Sequence, residues 1–233
     1  METRVSRLQI ATPFVTGDRL HKTIADRTKK IYDRVSFIYP ASTFFFHSRA
    51  HAQALDVSGI RDGMKVLEVA TGSGEMFRRL VKVNPSGRTI GLDLSPNMAA
   101  RTQRHARREF KGANVDCQAV DARHLPFKDE SFDAVMCCYL LELLGSSDIA
   151  LALGEIRRVI KSGSLFTLVV IGENTAFFNK MYKVGGSIAP AFWGRQVESK
   201  VPEMLESFDF RIERDCPVRQ GFYPSRVLTA RAR

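Results

Sequence analysis

The segment that most constrains this chain is Val66-Leu-Glu-Val-Ala-Thr-Gly-Ser-Gly-Glu75. It begins as a short apolar run with an acidic residue inside it and continues into a glycine-rich turn that precedes a helical pattern. Glycines in such a turn let ligand atoms approach the backbone where a Cβ would collide. A helix start offers unpaired N–H groups to an anion. The segment therefore predicts a strand, a turn and a helix arranged to bind a nucleoside.

A second apolar run, Thr89–Leu94, carries Asp93 near its end. An acidic residue at the end of the next strand can accept hydrogen bonds from both ribose hydroxyls. A dinucleotide site would have a third glycine at position 77 for close helix–strand packing, but Phe77 stands there. A phosphate-binding loop would continue into Gly-Lys-Ser/Thr, and this sequence does not. The two segments therefore favour a nucleoside without a pyrophosphate.

Strand and helix patterns alternate through residues 57–172, and such alternation predicts a parallel sheet with right-handed crossovers. The predicted strands lie near 65–70, 88–93, 114–120, 132–138 and 164–171, with helices at about 74–83, 96–110 and 147–160. Pro96 suits the first turn of the second of these helices, and Ser146 or Ser147 is expected to cap the third. A helix at 201–207 and strands near 209–217 and 223–231 would close the sheet.

Length and composition indicate one globular domain over residues 1–233, since 44% hydrophobic and 26% charged residues are ordinary values. Cys117, Cys137, Cys138 and Cys216 form no C-x-x-C pair, so we expect buried thiols in a reducing compartment rather than disulfides or a zinc site. We find no signal-peptide pattern and no apolar run near the ~20 residues that cross a bilayer. The expected location is the cytoplasm, with peripheral attachment to the inner face of the membrane as an option.

The formal net charge is +10, and the excess is concentrated in residues 1–34, 101–111 and 211–233. Basic surface predicts an anionic partner, either an anionic membrane surface or nucleic acid. A solvated, salt-screened surface is the alternative for each cluster. Residues 101–108 are predicted to form the outer face of a helix. Its inner stripe at helical spacing comprises Met98, Thr102, His105, Ala106 and Phe110.

From about Val57 to Gly172 the chain resembles class I methyltransferases that use S-adenosylmethionine (SAM), and it looks closest to the UbiE-type quinone methyltransferases. Four segments match the family in order. They are Val66–Gly74, with its acidic-x-x-x-Gly-x-Gly pattern, Gly91–Met98, Val120–Phe127 followed by Ser131–Val135, and Arg157–Gly163. The resemblance implies an α/β, Rossmann-like fold with a seven-stranded, mostly parallel sheet in the order 3-2-1-4-5-7-6, its seventh strand antiparallel. Helices would cover both faces, and a helical region at residues 1–55 would precede the core at 57–172.

The resemblance also implies SAM as the cofactor, S-adenosylhomocysteine (SAH) as the product, and cofactor-binding roles for residues at the strand ends. Those residues are Glu68, Ala70, Gly72, Ser73, Gly74, Asp93, Leu94, Met98, Asp121, Ala122 and Cys138. Glu68 would attract the ammonium of the methionine part, directly or through water, and the turn amides would hold its carboxylate. Asp93 would hold the ribose hydroxyls.

The family pattern places the adenine between apolar side chains. Leu94 and Met98 would flank the ring, although Met98 also suits a plain core position. Asp121 would accept from the adenine amino group, and the backbone amide of Ala122 would donate to a ring nitrogen. Cys138, at the end of the fourth strand, would approach the cofactor through its backbone.

Acceptor-side residues are expected in the parts that flank the nucleotide core. Tyr32 belongs to a Tyr-Asp pair that resembles one near the start of many UbiE-like enzymes. Tyr32 and His47 are the candidate catalytic residues, with Tyr39 as a further contact; aromatic packing over the sheet is the alternative for each. Residues 173–198 form an aromatic insertion that suits either a lid over the acceptor or ordinary packing, and residues 199–233 supply the closing helix and strands.

The acceptor stays open at this stage, because the chain departs from quinone methyltransferases in two places. Their Gly-x-His-Arg-x-Trp-Lys stretch is replaced by Phe44–Ala50, and their Tyr-rich segment after strand five is not recognisable. We expect a small or lipid-like acceptor, such as a quinone precursor, with phospholipid N-methylation and a non-catalytic SAM-fold binding protein as alternatives. Nucleic acid is not expected as a partner. Enzymes that methylate its amino groups often carry Asn/Asp-Pro-Pro-aromatic where this chain has Cys137-Cys-Tyr-Leu-Leu-Glu142.

Overall fold

The computed structural model describes residues 39–172, 198–219 and 224–233, and the side chains of these residues except for 39–47 and 198. The helices are α1 (Tyr39–Val57), α2 (Glu75–Val83), α3 (Pro96–Glu109), α4 (Ser146–Val159) and α5 (Val201–Ser207), with short 3-10 turns at Leu141–Leu143 and Glu198–Lys200. The strands are β1 (Lys65–Val69), β2 (Arg88–Asp93), β3 (Asn114–Ala119), β4 (Phe132–Cys138), β5 (Ile160–Ile171), β6 (Phe210–Val218) and β7 (Ser225–Ala232).

All seven strands form one sheet in the order β3-β2-β1-β4-β5-β7-β6. The first five strands pair in parallel, whereas β7 is antiparallel to both β5 and β6. The predicted strand order and the antiparallel seventh strand are therefore confirmed. Because β7 runs backwards, its first residue, Ser225, lies at the same edge of the sheet as the last residues of the parallel strands.

Helices cover both faces of the sheet because strand side chains alternate between faces. On one face, Val66 packs in a cluster with Ala50 and Ala54 of α1 and Leu80 of α2. On the other face, Leu67 belongs to the largest cluster, which includes residues of α4 and α5. The core is thus divided into two layers by the sheet, as the alternating strand and helix pattern predicts.

Helix α3 begins as predicted, because Ser95 caps it by accepting from the backbone N–H of Met98 and Pro96 occupies its first turn. The expected cap of α4 by Ser146 or Ser147 is wrong. Gly145 is the N-cap residue and makes no side-chain hydrogen bond, since the helix already includes Ser146.

Two further expectations need correction. His105 is exposed rather than part of the inner face of α3, because it lies within a turn of Arg101, Arg104 and Arg108 on the solvent side. Strand β5 starts at Ile160 instead of near 164, since the chain passes from α4 directly into the strand. Gly163, at φ 78°, lies in that extension, where the pairing with β4 shifts register.

Several expectations concern residues beyond this description. The helical N-terminal region is observed only from Tyr39 onward, as α1. Tyr32, and residues 173–197 of the lid-like insertion, lie outside the described residues. Within the described segments, each helix is too short or too polar to cross a lipid bilayer.

Close packing between α2 and β2 explains how the chain tolerates Phe77 where a dinucleotide site has glycine. Phe77 is fully buried and lies against Gly91 of β2. A Cβ added at Gly91 would come within 2.6 Å of Thr71 Cγ2 and 2.8 Å of Phe77 Cε2. The glycine that permits close helix–strand contact therefore belongs to the strand, and the large side chain belongs to the helix.

The substitution Gly91→Ala should destabilise the fold by about 1–3 kcal/mol, because the added methyl group overpacks a rigid contact. Urea denaturation followed by circular dichroism would measure the loss. Gly154→Ala is the matched control, since its Cβ would lie 3.6 Å from the nearest described atom, a side-chain carbon of Phe208. Equal stabilities for the two variants would contradict this account of Phe77.

A buried acid follows strand β4. Glu142 is almost fully buried, and its Oε1 accepts a hydrogen bond from the backbone N–H of Ile171 at 2.5 Å. None of the described groups bonds to its Oε2. Burial raises the pKa of Glu142 from its ordinary value of 4.5 to about 7, against the opposing effect of the Ile171 hydrogen bond. Ionisation of this residue therefore costs stability as the pH rises from about 4.5 through about 7.

Glu142→Gln removes that ionisation while keeping an oxygen for Ile171. We expect the stability of this variant relative to wild type to increase by about 1–3 kcal/mol between pH 5 and pH 8, as measured by urea denaturation. Glu155→Gln is the control. The bond from Arg158 lowers the pKa of Glu155, so that carboxyl is already ionised throughout this range. A flat difference for Glu142→Gln would show that Glu142 is not buried in its acidic form.

Candidate cofactor site

The two neighbouring strands at which the strand order reverses both end in strained backbone. Ala70 follows β1 with φ 65°, and Tyr139 follows β4 with φ 56°. Non-glycine residues rarely adopt this left-handed conformation, and it tends to occur where function requires it. Both turns lie at the carboxyl edge of the sheet, at the reversal of strand order between β1 and β4. This is the edge at which ligands of open α/β sheets bind.

The glycine-rich turn lies at the β1 side of this edge. Gly72 has φ 50°, and a Cβ built on it would meet nothing within 4 Å. Gly74 has φ 79°, and a Cβ there would lie 2.7 Å from Thr102 Oγ1. Gly72 therefore borders open space that a ligand can use, whereas Gly74 allows α3 to approach.

Helix α2 starts directly after this turn without a side-chain cap. Its N-cap residue is Gly74, in contrast to the serine that caps α3. The N–H groups of an uncapped first turn attract an anion such as a carboxylate. Ser73 is half-buried in the same turn. These features fit the carboxylate end of a methionine moiety.

Asp93 connects the turn to the neighbouring strand. Its Oδ2 accepts from the backbone N–H of Gly72 at 2.7 Å, and its Oδ1 accepts from that of Ser95 at 2.9 Å. The carboxylate thus fixes both the glycine turn and the start of α3. A carboxylate oxygen can accept more than one hydrogen bond, so the predicted bonds to ribose hydroxyls stay compatible with this arrangement.

Glu68 is the buried acid of the site. It is 1% exposed, and none of the described groups bonds to its Oε2. Burial raises the pKa of Glu68 well above its ordinary value, and the charges of Asp93 and Glu75 add to the effect. A buried carboxyl group without a partner is costly, and a cation beside it would relieve the cost. This position fits the ammonium group that the sequence assigns to Glu68.

Of the predicted adenine-binding residues, Leu94 directly follows β2, Met98 lies in the first turn of α3, and Asp121 and Ala122 follow β3. Leu94 is 40% exposed and presents an apolar surface there, whereas Met98 is 1% exposed and packs in the core. Ala122 is half-buried beside Asp121. A role for these residues in holding adenine stays a prediction.

Sequence reasoning missed the partner of Asp121. Arg123 donates from Nη2 to Asp121 Oδ2 at 2.6 Å and reaches Asp148 at 3.0 Å. Burial opposes the ionisation of Asp121, but Arg123 outweighs it and holds the pKa of this carboxyl below its ordinary value. An adenine amino group would share the carboxylate with this guanidinium group.

Cys138 is the last residue of β4 and pairs with Val169. Burial raises the pKa of its thiol well above the ordinary value, with the charge of Glu68 as the next contribution. The thiol is therefore protonated and unsuited to act as a nucleophile. A contribution of Cys138 through its backbone stays a prediction.

A polar cluster between α1 and α2 was also missed. His51 of α1 lies with its Nδ1 3.4 Å from Glu75 Oε2, and Arg79 donates to Glu75 Oε1 at 2.9 Å. The Tyr139 ring centroid is 5.9 Å from that of His51. His47 lies one turn earlier in α1, but its side chain is outside the described ones. The signal in the sequence was the i, i+4 spacing of the two histidines, which turns both toward one side of a helix.

Comparison with known proteins gives the same family. A family model described as a methyltransferase domain matches residues 66–163. Demethylmenaquinone methyltransferase from Staphylococcus aureus is 32% identical over 168 residues, which cover 71% of this chain and 66% of the relative. The chain thus matches just under two thirds of the length of these curated relatives.

Two solved structures share the fold. The [4+2]-cyclase SpnF superposes with a TM-score of 0.73 at 18% identity, covering 89% of this chain and 96% of the cyclase. The N-methyltransferase NodS from Bradyrhizobium japonicum, solved with SAH, superposes with a TM-score of 0.70 at 14% identity, covering 88% of this chain and 98% of that one. Sheet order, glycine turn, acidic residues and the relatives together support a class I SAM-dependent methyltransferase.

Proposed function

We propose that this protein transfers a methyl group from SAM to a small, apolar acceptor, a quinone precursor of the demethylmenaquinone type. One observation carries the binding half of the proposal. The buried acid Glu68, whose Oε2 has no partner among the described residues, lies at the carboxyl edge of the sheet with the open turn at Gly72 and the ribose candidate Asp93. This set matches the ammonium, carboxylate and ribose groups of SAM.

SAM supplies a methyl group that its sulfonium already activates, so the protein has mainly to orient the two reactants. Glu68 would hold the ammonium, and the first amides of α2 would hold the carboxylate. Asp93 would hold the ribose while it also accepts the hydrogen bond from Gly72 in the turn.

The quinone part of the proposal rests on the Staphylococcus aureus relative, whose name states that substrate. Phe44–Ala50 replaces the Gly-x-His-Arg-x-Trp-Lys stretch of quinone methyltransferases, so other lipid-like acceptors are also candidates. Phosphatidylethanolamine is the alternative of that kind. The similarity in fold to a [4+2]-cyclase is a reason to measure the reaction itself.

Access to such an acceptor would be easier from a membrane surface, and we include peripheral docking in the proposal. Helix α3 exposes Arg104, Arg107 and Arg108, next to the exposed Lys111. Arginine and lysine on one helix face attract anionic lipid headgroups at about 1 kcal/mol per residue near the surface. The acceptor assay below includes a lipid comparison for this reason.

Asp93→Ala should weaken SAH binding by ~1–3 kcal/mol. The substitution removes both the charged hydrogen bonds to the ribose and the hydrogen bond that holds the backbone N–H of Gly72. Isothermal titration calorimetry measures the change. Asp133→Ala is a matched control, since Asp133 also accepts from a backbone N–H, that of Lys65 at 2.7 Å, but at the opposite edge of the sheet. Affinities of the two variants within twofold of each other would refute the placement of the cofactor.

The acceptor is tested with methyl-labelled SAM and a short-chain demethylmenaquinone in its reduced form, presented in vesicles. We expect label in the quinone fraction and its loss in Asp93→Ala. Phosphatidylethanolamine in the same vesicles is the competing acceptor. Label in that lipid would overturn the quinone assignment. SAH binding without methyl transfer to either acceptor would indicate a non-catalytic protein.

The same assay compares neutral vesicles with vesicles that contain phosphatidylglycerol. Docking through α3 predicts faster transfer on the anionic vesicles and loss of that advantage at high salt. The double variant Arg104→Glu, Arg108→Glu should behave alike on both vesicle types. Equal rates for the native protein on both would remove membrane docking from the proposal.

A further inference from the structure

Arg123 holds the carboxylate of Asp121 through several hydrogen bonds just after β3. The backbone N–H and the Nε of Arg123 both donate to Asp121 Oδ1 at 3.0 Å. Nη2 donates to Oδ2 at 2.6 Å, and Nε also reaches that oxygen at 3.1 Å. Nη1 donates to Oδ1 of Asp148, in the first turn of α4, at 3.0 Å. The carboxylate is therefore held in one orientation by a guanidinium group that is itself anchored to a helix.

This ion pair lies next to the segment proposed for the nucleoside. The backbone N–H of Val120 donates to the carbonyl oxygen of Asp93 at 2.9 Å, so Asp121 directly follows a residue that is bonded to the ribose candidate. Leu94, the residue after Asp93, is 40% exposed and offers an apolar surface at the same edge of the sheet. A base attached to a ribose on Asp93 is therefore expected to have Leu94 and Asp121 as neighbours.

We propose that Arg123 is a specificity-determining residue, which holds Asp121 as a hydrogen-bond acceptor so that the site selects the amino group of adenine and rejects a 6-oxo purine. This assignment rests on the proposed binding of SAM. Arg123 acts through Asp121, so it is a positioning residue for the cofactor and takes no part in the transfer of the methyl group.

The hydrogen bonds of the carboxylate explain this selectivity. A carboxylate has about four acceptor sites, and the two donors on Oδ1 of Asp121 occupy both sites of that oxygen. The bond from Nη2 occupies one site of Oδ2. No described residue other than Arg123 bonds to this carboxylate, so about one site is left for a donor on a ligand. The amino group of adenine is such a donor, whereas the oxygen of a 6-oxo purine is an acceptor and would be repelled.

The charge of Arg123 keeps Asp121 from acting as a donor. Only a protonated carboxyl group could donate a hydrogen bond to a 6-oxo purine. Burial disfavours the ionised form of Asp121, but the hydrogen bonds from Arg123 outweigh burial and hold the pKa below its ordinary value of 3.8. Without Arg123 the effect of burial would remain, so Asp121 would take up a proton at a higher pH. The selectivity of the native site should therefore be constant from pH 8 to pH 5, and that of a variant without Arg123 should fall towards pH 5.

The rival role for Arg123 is to fasten the loop after β3 to α4, as Arg158 does. Arg158 donates to Glu155 Oε1 at 2.7 Å and to the carbonyl oxygens of Leu125 at 2.9 Å and Phe127 at 2.6 Å. Loss of a loop anchor should weaken the binding of every nucleoside alike, because the whole loop moves. Loss of a specificity-determining residue changes the ratio of two affinities instead. Arg158→Gln is therefore the matched control.

Calorimetric titration with SAH and with S-inosylhomocysteine measures that ratio, because a carbonyl oxygen replaces the adenine amino group in the second ligand. We expect the native protein to bind SAH more tightly by about tenfold or more, the scale of one charged hydrogen bond. Arg123→Gln should weaken SAH binding about tenfold and change the Kd of the 6-oxo analogue less than about threefold. Most of the preference for SAH is then lost, and the remainder should decrease from pH 8 to pH 5. Arg158→Gln should keep the native preference.

A preference for SAH in Arg123→Gln within about twofold of the native preference would overturn the proposal. Equal weakening of both ligands would also overturn it and would leave Arg123 as a loop anchor. Asp121→Asn tests the placement of adenine separately, because an amide can turn either an oxygen or an amino group towards the base. An unchanged preference in that variant would show that adenine lies elsewhere, and no binding of SAH by the native protein would contradict the methyltransferase function itself. Either of these two results would refute the role of Arg123 as well.

Discussion

The carboxylate of Asp93 is the contact on which the geometry of the site depends. It accepts from Gly72 in the turn after β1 and from Ser95 at the start of α3, so one side chain sets the positions of two ligand-facing segments. A loop that carries glycine at φ 50° has little stiffness of its own, and an ionic hydrogen bond supplies it. A ribose bound to Asp93 would thus bind to a group that already holds the cradle closed.

The second feature of the site is the proximity of its acidic side chains. Glu68, Glu75 and Asp93 are close enough for their charges to interact, and burial makes this repulsion between carboxylates more unfavourable. A cationic ligand would relieve the cost at Glu68, while His51 and Arg79 relieve it at Glu75. Ala70 and Tyr139, both in the left-handed conformation, follow the two strands at this edge.

Much of the fold could be predicted from local pattern. The strands and helices of the nucleotide core were placed within a few residues, because apolar periodicity and turn residues act over short distances. The errors have local causes too. Position 105 was assigned to the inner face of its helix from apolar spacing alone, although three arginines surround it. The start of β5 was misplaced because no turn separates it from α4.

By itself the sequence determined the resemblance to class I methyltransferases, and through that resemblance the sheet order and the turn proposed for the cofactor, since the resemblance depends on motifs that lie close together along the chain. Only the tertiary structure decided which side chains meet. His51 reaches Glu75, Tyr139 reaches Ser225, and Gly91 makes room for Phe77, and each pair joins separate elements of the fold. The physical reason is that such contacts arise from helix placement on the sheet, and a single sequence carries no direct record of that placement.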